Sequence, residues 1–221
     1  MAKAVEHRGF DRLVNLSDAV VAIAITLLVL PLVDAAGAIG DTPVPQFMAD
    51  NGVKFFVFAL SFVVIARFWV IHHAMYRNLE AYNRPLIYAN FLWLISIVFL
   101  PFPTELLASG SESNHATSIL YIGTLALTTV AGLAQQIVIV RDPELQRVEV
   151  RKTLHMRVAI IAASIMLVAL AVTIIVPTVN QWPLLLLLLT GPIEHFLLPR
   201  RGASAPARAT APLSPNAPPE K

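Results

Sequence analysis

Ser17 and Asp18 are the two residues in this chain whose type and position demand a chemical explanation. The segment Arg12-Leu-Val-Asn-Leu16-Ser17-Asp18 runs directly into Ala-Val-Val-Ala-Ile23-Ala-Ile-Thr26-Leu27-Leu-Val-Leu30-Pro31. A hydroxyl and a carboxylate therefore stand at the start of a long apolar run. A carboxylate inside a membrane costs about 2–3 kcal/mol or more unless it is paired or close to the interface, so Asp18 needs a partner or a purpose. At about 100° per residue, Ile23 lies about 140° around the helix from Asp18. Asp18 thus points away from Ile23, Leu27 and Leu30, which follow one another at i, i+4 and i+7. Thr26 flanks that stripe, as do Ala22 and Ala19 less closely. A bulky aliphatic ridge edged by small or hydroxyl side chains suits lipid contact, helix packing or the wall of a narrow, water-poor pore. The pattern alone does not choose among them.

Other polar groups in apolar surroundings are candidates for a network around Asp18. Arg67 lies about one turn inside the end of the second apolar run; it can pair with Asp18 or extend its stem to the headgroups. Arg12 is six residues from Asp18, about 120° away around one helix, so it is better placed to meet a neighbour. Ser17 and Asp18 also fit a helix-start role, accepting hydrogen bonds from free amides, if the span begins there. His72 and His73 are adjacent and splay by about 100°, a poor arrangement for chelating one metal. One of them in a network with Asp18, Trp69 or Asn90 is the better reading. Thr26 can offer a hydroxyl to a pore, or return it to the i−4 carbonyl of Ala22. Glu194, His195, Gln135 and Gln136 stand near span ends, where polar side chains are cheap. The sequence lacks G-x-S-x-G, H-E-x-x-H, a phosphate loop and carboxylates paired deep in one span, so no enzyme chemistry is expected.

The elements that must position these residues are membrane helices. The 221 residues are 57% hydrophobic and only 14% charged, with a mean hydropathy of +0.69, far from the usual soluble balance of about one quarter charged residues. A net charge of +2 gives no basis for nucleic-acid binding, and the absence of cysteine removes disulfides and thiolate metal sites. The apolar runs predict an all-α integral membrane protein with six transmembrane helices, at Leu16 to Val33, Val53 to Ile71, Leu86 to Leu107, Ser118 to Val140, Val158 to Val176 and Trp182 to Leu198. The first run is too long for a signal peptide and lacks a small-residue cleavage site. With the N-terminus inside, every Lys and Arg except Lys54 falls at or near the inner face, while Asp34, Asp41, Asp50, Glu105 and Glu112 lie outside. Both termini are then cytoplasmic, in a multi-pass protein of the plasma membrane. Residues 1–199 form the membrane domain, and the Pro/Ala-rich residues 200–221 form a disordered tail. No helix-pair repeat is visible, so a wide pathway requires several subunits.

Arg12, Leu16, Ser17 and Asp18 resemble the Arg-x-x-x-Phe-Ser-Asp motif of the TMEM175 family of potassium channels, in its short bacterial branch with six spans per chain. The Ala-Ile-Thr-Leu-Leu-Val-Leu-Pro stretch that follows is similar to the family, as are Phe68-Trp69-Val-Ile-His72-His73 and Leu100-Pro101-Phe102-Pro103-Thr104. Leu16 departs from the family's Phe and loses an aromatic contact but no charge. The resemblance implies a homotetramer in which the first helices line a central pore and K+ permeates without any cofactor. Ile23, then Leu27 and Leu30 further out, would form its apolar constriction, and membrane lipids would surround the assembly. A secondary transporter is the alternative, but it predicts mid-membrane helix breaks and inverted repeats. Pro31, Pro101 and Pro103 all fall near outer ends, which favours the channel.

Overall fold

In a computed structural model the chain is described over residues 2–109, 115–147 and 156–176, and those residues form an all-helical bundle. Helix α1 is Ala2–Leu27, α2 is Leu30–Gly37, α3 is Val44–Asp50, α4 is Gly52–Tyr76, α5 is Arg84–Phe99, α6 is Pro101–Ala108, α7 is His115–Arg141 and α8 is Arg157–Ile175. A single 3-10 turn, Pro143–Leu145, follows α7. Among the described residues, four stretches are long and apolar enough to cross a membrane: Gly9–Gly37, Gly52–Tyr76, Arg84–Ala108 and His115–Arg141. They coincide with the first four expected spans, and α8 with the fifth. The expected sixth span, Glu194 and His195, and the tail at 200–221 lie outside the described residues.

Proline sets the two interruptions. Pro31 has no amide and its ring crowds the preceding turn, so α1 stops at Leu27 and α2 resumes at Leu30. Pro101 and Pro103 likewise divide the third span into α5 and α6 at Leu100. At the other end of that span, the Asn83 side chain accepts from the Leu86 amide at 2.9 Å, which caps α5. The segment between the first two spans is not a plain loop, since α2 extends past the expected Val33 boundary and α3 occupies 44–50. These helices begin with proline in their first turn, where a missing amide costs nothing.

Helix α7 packs most extensively on α5 and α8, while α1 rests on α5 and α4. The main apolar cluster joins Val21 and Ala24 of α1, and Leu28 just after it, to Ile65 of α4, Trp93 and Ile97 of α5, and Leu125 and Ala131 of α7. A second cluster, at the end where α4 finishes and α5 begins, gathers Phe10, Tyr76, Leu79, Leu86, Ile139 and Leu145. The same end is tied by chain crossings. Glu80 N donates to Leu145 O at 2.9 Å and Arg147 N to Asn78 O at 3.0 Å. Asn83 Nδ2 donates to Asp142 Oδ2 at 3.0 Å. Gly9 lets α1 lie against this corner, because a methyl group there would overlap the Tyr82 hydroxyl.

At the opposite end a buried hydroxyl cluster joins three helices. Ser61 Oγ is 3.2 Å from the Tyr121 hydroxyl and 3.1 Å from Thr104 Oγ1, and Thr104 Oγ1 is 2.8 Å from Leu100 O. Each hydroxyl carries one hydrogen. With that of Thr104 on the Leu100 carbonyl, Ser61 donates to Thr104 and Tyr121 donates to Ser61. Tyr121→Phe keeps the ring and removes the first donor. It is expected to lower stability in detergent by about 0.5–1.5 kcal/mol, read as a lower unfolding midpoint; an unchanged midpoint would mean that the cluster does not fasten α7 to α4.

Candidate functional site: the first helix and its anchoring network

The buried residues of α1, Phe10, Ser17, Val21 and Ala24, form one stripe that Leu28 continues just past its end, spaced at the i+7, i+4, i+3 intervals of a single helix face. The opposite face is open. Arg12, Asn15, Leu16, Ala19, Ala22, Ile23, Thr26 and Leu27 are exposed, as is Leu30 past the break. Ile23 is 59% exposed, whereas Leu28 on the packed face is 1% exposed. Ile23, Leu27 and Thr26 therefore share a surface that no part of the same chain covers. Leu30 does not follow them on one continuous helix, as its i+7 spacing had implied; the Pro31 break places it in α2.

The rotation of α1 is fixed by a chain of hydrogen bonds. His72 Nε2 lies 2.9 Å from Asn90 Oδ1, Asn90 Nδ2 donates to Ser17 Oγ at 2.9 Å, and Ser17 Oγ donates to Leu13 O at 3.0 Å. An amide oxygen only accepts, so the His72 proton in this arrangement is on Nε2. The chain then runs in one direction from α4 through α5 to the backbone of α1, and Ser17, His72 and Asn90 are all buried. Beside it, Trp69 Nε1 donates to Asp18 Oδ1 at 2.8 Å. An ionised acceptor strengthens such a bond. Asp18, half-buried, sits at the edge of the open face rather than within it.

Aromatic rings extend the same contact. Trp93 stacks on one face of His72 with centroids 4.2 Å apart, Tyr76 on the other at 4.1 Å, and Phe10 of α1 stacks on Tyr76 at 6.1 Å. His73 is exposed and stacks on Trp69 at 5.2 Å. The two histidines thus diverge, and no group of metal-binding side chains occurs among the described residues.

Two expectations need correction. Ser17 and Asp18 do not start a helix: α1 begins at Ala2, so both lie in its interior, where Ser17 bonds a carbonyl instead of capping an amide. Thr26 returns its hydroxyl to Ile23 O at 2.7 Å, not to Ala22, because the helix tightens toward three-residue bonding just before its end. Among the residues expected near Asp18, Trp69 reaches it and His72 and Asn90 form the parallel chain. Arg67 is half-buried on α4, and Arg12 is exposed on α1. The Trp93, Tyr76 and Phe10 column went unread in the sequence; the only local hint was the i+4 spacing of His72 and Tyr76.

Asn90→Leu conserves volume but strips Ser17 Oγ of its donor and His72 Nε2 of its acceptor. A loss of about 1–3 kcal/mol is expected, seen as a lowered unfolding midpoint of the purified protein. Wild-type stability in that variant would mean that the hydrogen-bond chain does not hold α1.

Residues 12–101 match the family model described as endosomal/lysosomal potassium channel TMEM175. The chain is 35% identical over 109 residues to a potassium channel of Chamaesiphon minutus, an alignment covering 49% of this chain and 54% of the relative. It is 31% identical over 107 residues to a potassium channel of Streptomyces collinus, covering 47% and 50%, and 26% identical over 130 residues to one of a Chryseobacterium species, covering 59% and 65%. The aligned region spans about half the length of the first two. The fold is similar to the crystal structure of a lysosomal potassium-selective channel TMEM175 homolog from Chamaesiphon minutus, with a TM-score of 0.67 and 23% identity over 85% of this chain and 98% of that one. The matched segment opens at Arg12, contains Ser17, Asp18, Trp69, His72 and Asn90, and closes at Pro101. In this multi-pass membrane protein the first half, which carries that motif and the residues bonded to it, is similar to the TMEM175 family.

Proposed function

We propose that the protein is a potassium-permeable cation channel of the cell membrane, in which four copies bring the open faces of their α1 helices around a central pore. The observation that carries this reading is the difference between the open face of α1 and those of its neighbours. On α5 the exposed residues beyond Tyr88, namely Phe91, Leu92, Ile95, Val98 and Phe99, are apolar and bulky, as a lipid-facing surface requires, while Arg84, Pro85 and Tyr88 are exposed at its start. On α1 the exposed face mixes Arg12, Asn15 and Thr26 with small Ala19 and Ala22 and with Ile23 and Leu27. Polar and small side chains of that kind suit close approach of another helix and contact with water. The named relatives are potassium channels, which supplies the ion.

In this arrangement Ile23 forms the narrow neck, with Leu27 and Leu30 continuing the apolar wall. A ring of aliphatic side chains tight enough to exclude bulk water raises a barrier to any hydrated ion. Thr26 offers a hydroxyl oxygen next to the neck. Asp18 holds the helix through Trp69 and does not meet the ion. Both termini are cytoplasmic and the α2–α3 segment is outside, as the distribution of Lys and Arg requires.

Reconstitution in liposomes with bi-ionic reversal potentials tests the function. Ile23→Asn is expected to wet the neck, raise conductance and let Na+ compete with K+. Ile25→Asn, at a position packed against the core, is expected to act on assembly instead. Equal currents and reversal potentials for wild type and Ile23→Asn would overturn the apolar neck. The orientation has its own test, since the chain contains no cysteine. A cysteine in place of the exposed Met48 of α3 should be labelled by an impermeant thiol reagent in intact cells; labelling only after permeabilisation would reverse the topology.

A further inference from the structure

Gln135 of α7 is fully buried, yet neither its amide nitrogen nor its amide oxygen has a hydrogen-bond partner among the described residues. The low cost expected of a polar residue near a span end does not apply to it, because an amide shut away from water and left unpaired is expensive. The hydroxyl of Tyr76 is in the same condition. Its ring serves the aromatic column, stacked on His72 at 4.1 Å and on Phe10 at 6.1 Å, but its oxygen is left over. Folded interiors leave few polar groups in this state, and each one calls for a reason.

Two contacts fix how α5 and α7 run past each other. Asn83 Nδ2 donates to Asp142 Oδ2 at 3.0 Å, and a methyl group on Gly132 would stand 4.0 Å from Trp93 Cδ1. The helices are antiparallel, and both contacts agree on one register. Seven residues on from Asn83 is Asn90, and seven back from Asp142 is Gln135; three on from Asn90 is Trp93, and three back from Gln135 is Gly132. Gln135 therefore lies at the level of Asn90. Ile139, one turn further on the same face of α7, shares a cluster with Tyr76 and Leu86. Asn90 is also buried and has a spare group of its own. Its Nδ2 carries two hydrogens, and one of them is spent on Ser17 Oγ.

We propose that Gln135, Tyr76 and Asn90 line a buried site for a water molecule, which ties α7 into the hydrogen-bond chain that holds α1. The chemistry of the three groups selects the occupant. The Gln135 amide both donates and accepts, the phenol does either, and the spare Asn90 hydrogen only donates. A cation would meet two amide nitrogens that have nothing to give it, and an acyl chain would leave every group unpaired. What fits is a small neutral molecule that gives and takes hydrogen bonds at once. Water does so, and a buried water typically makes about three such bonds. The site is independent of the pore reading. It adds α7 to α4 and α5 as a helix that fixes the rotation of α1.

Tyr76→Phe keeps both ring stacks and removes the hydroxyl, and Gln135→Met keeps the length of the side chain and removes the amide. In the purified full-length protein each is expected to lower the unfolding midpoint by about 2–4 °C, because each takes one partner from the water and weakens its hold on the other. The double variant should then lie no lower than the worse single one. Tyr76→Phe combined with Tyr121→Phe, at the opposite end of the bundle, should instead show the two losses added. A raised or unchanged midpoint in Gln135→Met would mean an amide with no ligand, and an unchanged midpoint in Tyr76→Phe would mean an amide pairing that leaves the hydroxyl out. Either result overturns the proposal, as does simple addition in the Tyr76→Phe, Gln135→Met double variant. Should a variant fail to fold, the wild type decides. At a resolution that shows ordered water, density is expected within hydrogen-bond distance of both the Gln135 amide and the Tyr76 hydroxyl, and its absence refutes the site.

Discussion

Asn90 reaches across from α5 to Ser17, and that one contact sets the rotation of α1 about its own axis. Its amide is bonded on both ends, to Ser17 Oγ at 2.9 Å and to His72 Nε2 at 2.9 Å, in a place from which water is excluded. In such a setting an amide that misses either partner is costly. Turning α1 by one residue, about 100°, would carry Ser17 out of reach and move Asp18 away from Trp69. The same turn would bury Ile23 or Leu27 and expose part of the Val21, Ala24 and Leu28 stripe. Which residues α1 presents to the outside of the chain thus follows from a hydrogen bond on its opposite side.

The rest of the bundle keeps Asn90 where it is. Trp93, one turn along α5, stacks on the imidazole that Asn90 bonds, so the polar chain and the aromatic column share His72. The column continues through Tyr76 to Phe10, giving α1 a second hold nearer its start. Helix α5 is itself fixed by its Asn83 cap and by packing on α7. All of these holds act on α1 before Leu28. Past the break, α2 rests mainly on α4 among the described residues, so the two parts of the first span differ in how firmly they are held.

The spans within the described residues were legible because twenty apolar residues in a row leave few alternatives in a chain with so little charge. The importance of Ser17 and Asp18 was legible from cost, since polar groups at such positions need partners. Their actual partners were not. Trp69, His72 and Asn90 stood in one candidate group around Asp18, and nothing in local sequence says that Trp69 takes the carboxylate while Asn90 divides itself between Ser17 and His72. That division depends on how α4 and α5 cross α1, a property of three helices together. The start of α1 was misplaced for a related reason. Residues 2–15 are too polar to read as a span, yet they carry no helix breaker, and Phe10 against Tyr76 gives them something to pack on. The prolines were read as lying near outer ends, which understated Pro31. It stands only four residues from Leu27, so the break begins inside the stripe rather than after it.

That position matters for how one helix can combine two tasks. Under the pore reading, an apolar neck controls whether ions pass, and because its barrier comes from the loss of water it weighs more on Na+ than on K+. Oxygen ligands add to that preference where they compensate one ion better than another. A regular α-helix presents no backbone oxygen sideways, since each carbonyl is spent on the amide four residues ahead. Serine and threonine add only what their hydroxyls retain after bonding their own backbone, and Thr26 has already spent its hydrogen on Ile23 O. Under the pore reading, a proline at this distance ends the regular helix just beyond the neck without adding a charge. It leaves Ile23 on a helix anchored through Ser17, Asp18 and Phe10, and it interrupts the ladder only where that anchoring ends. Under that reading the neck stands on the anchored part of the first span, and the break marks where the anchored part stops.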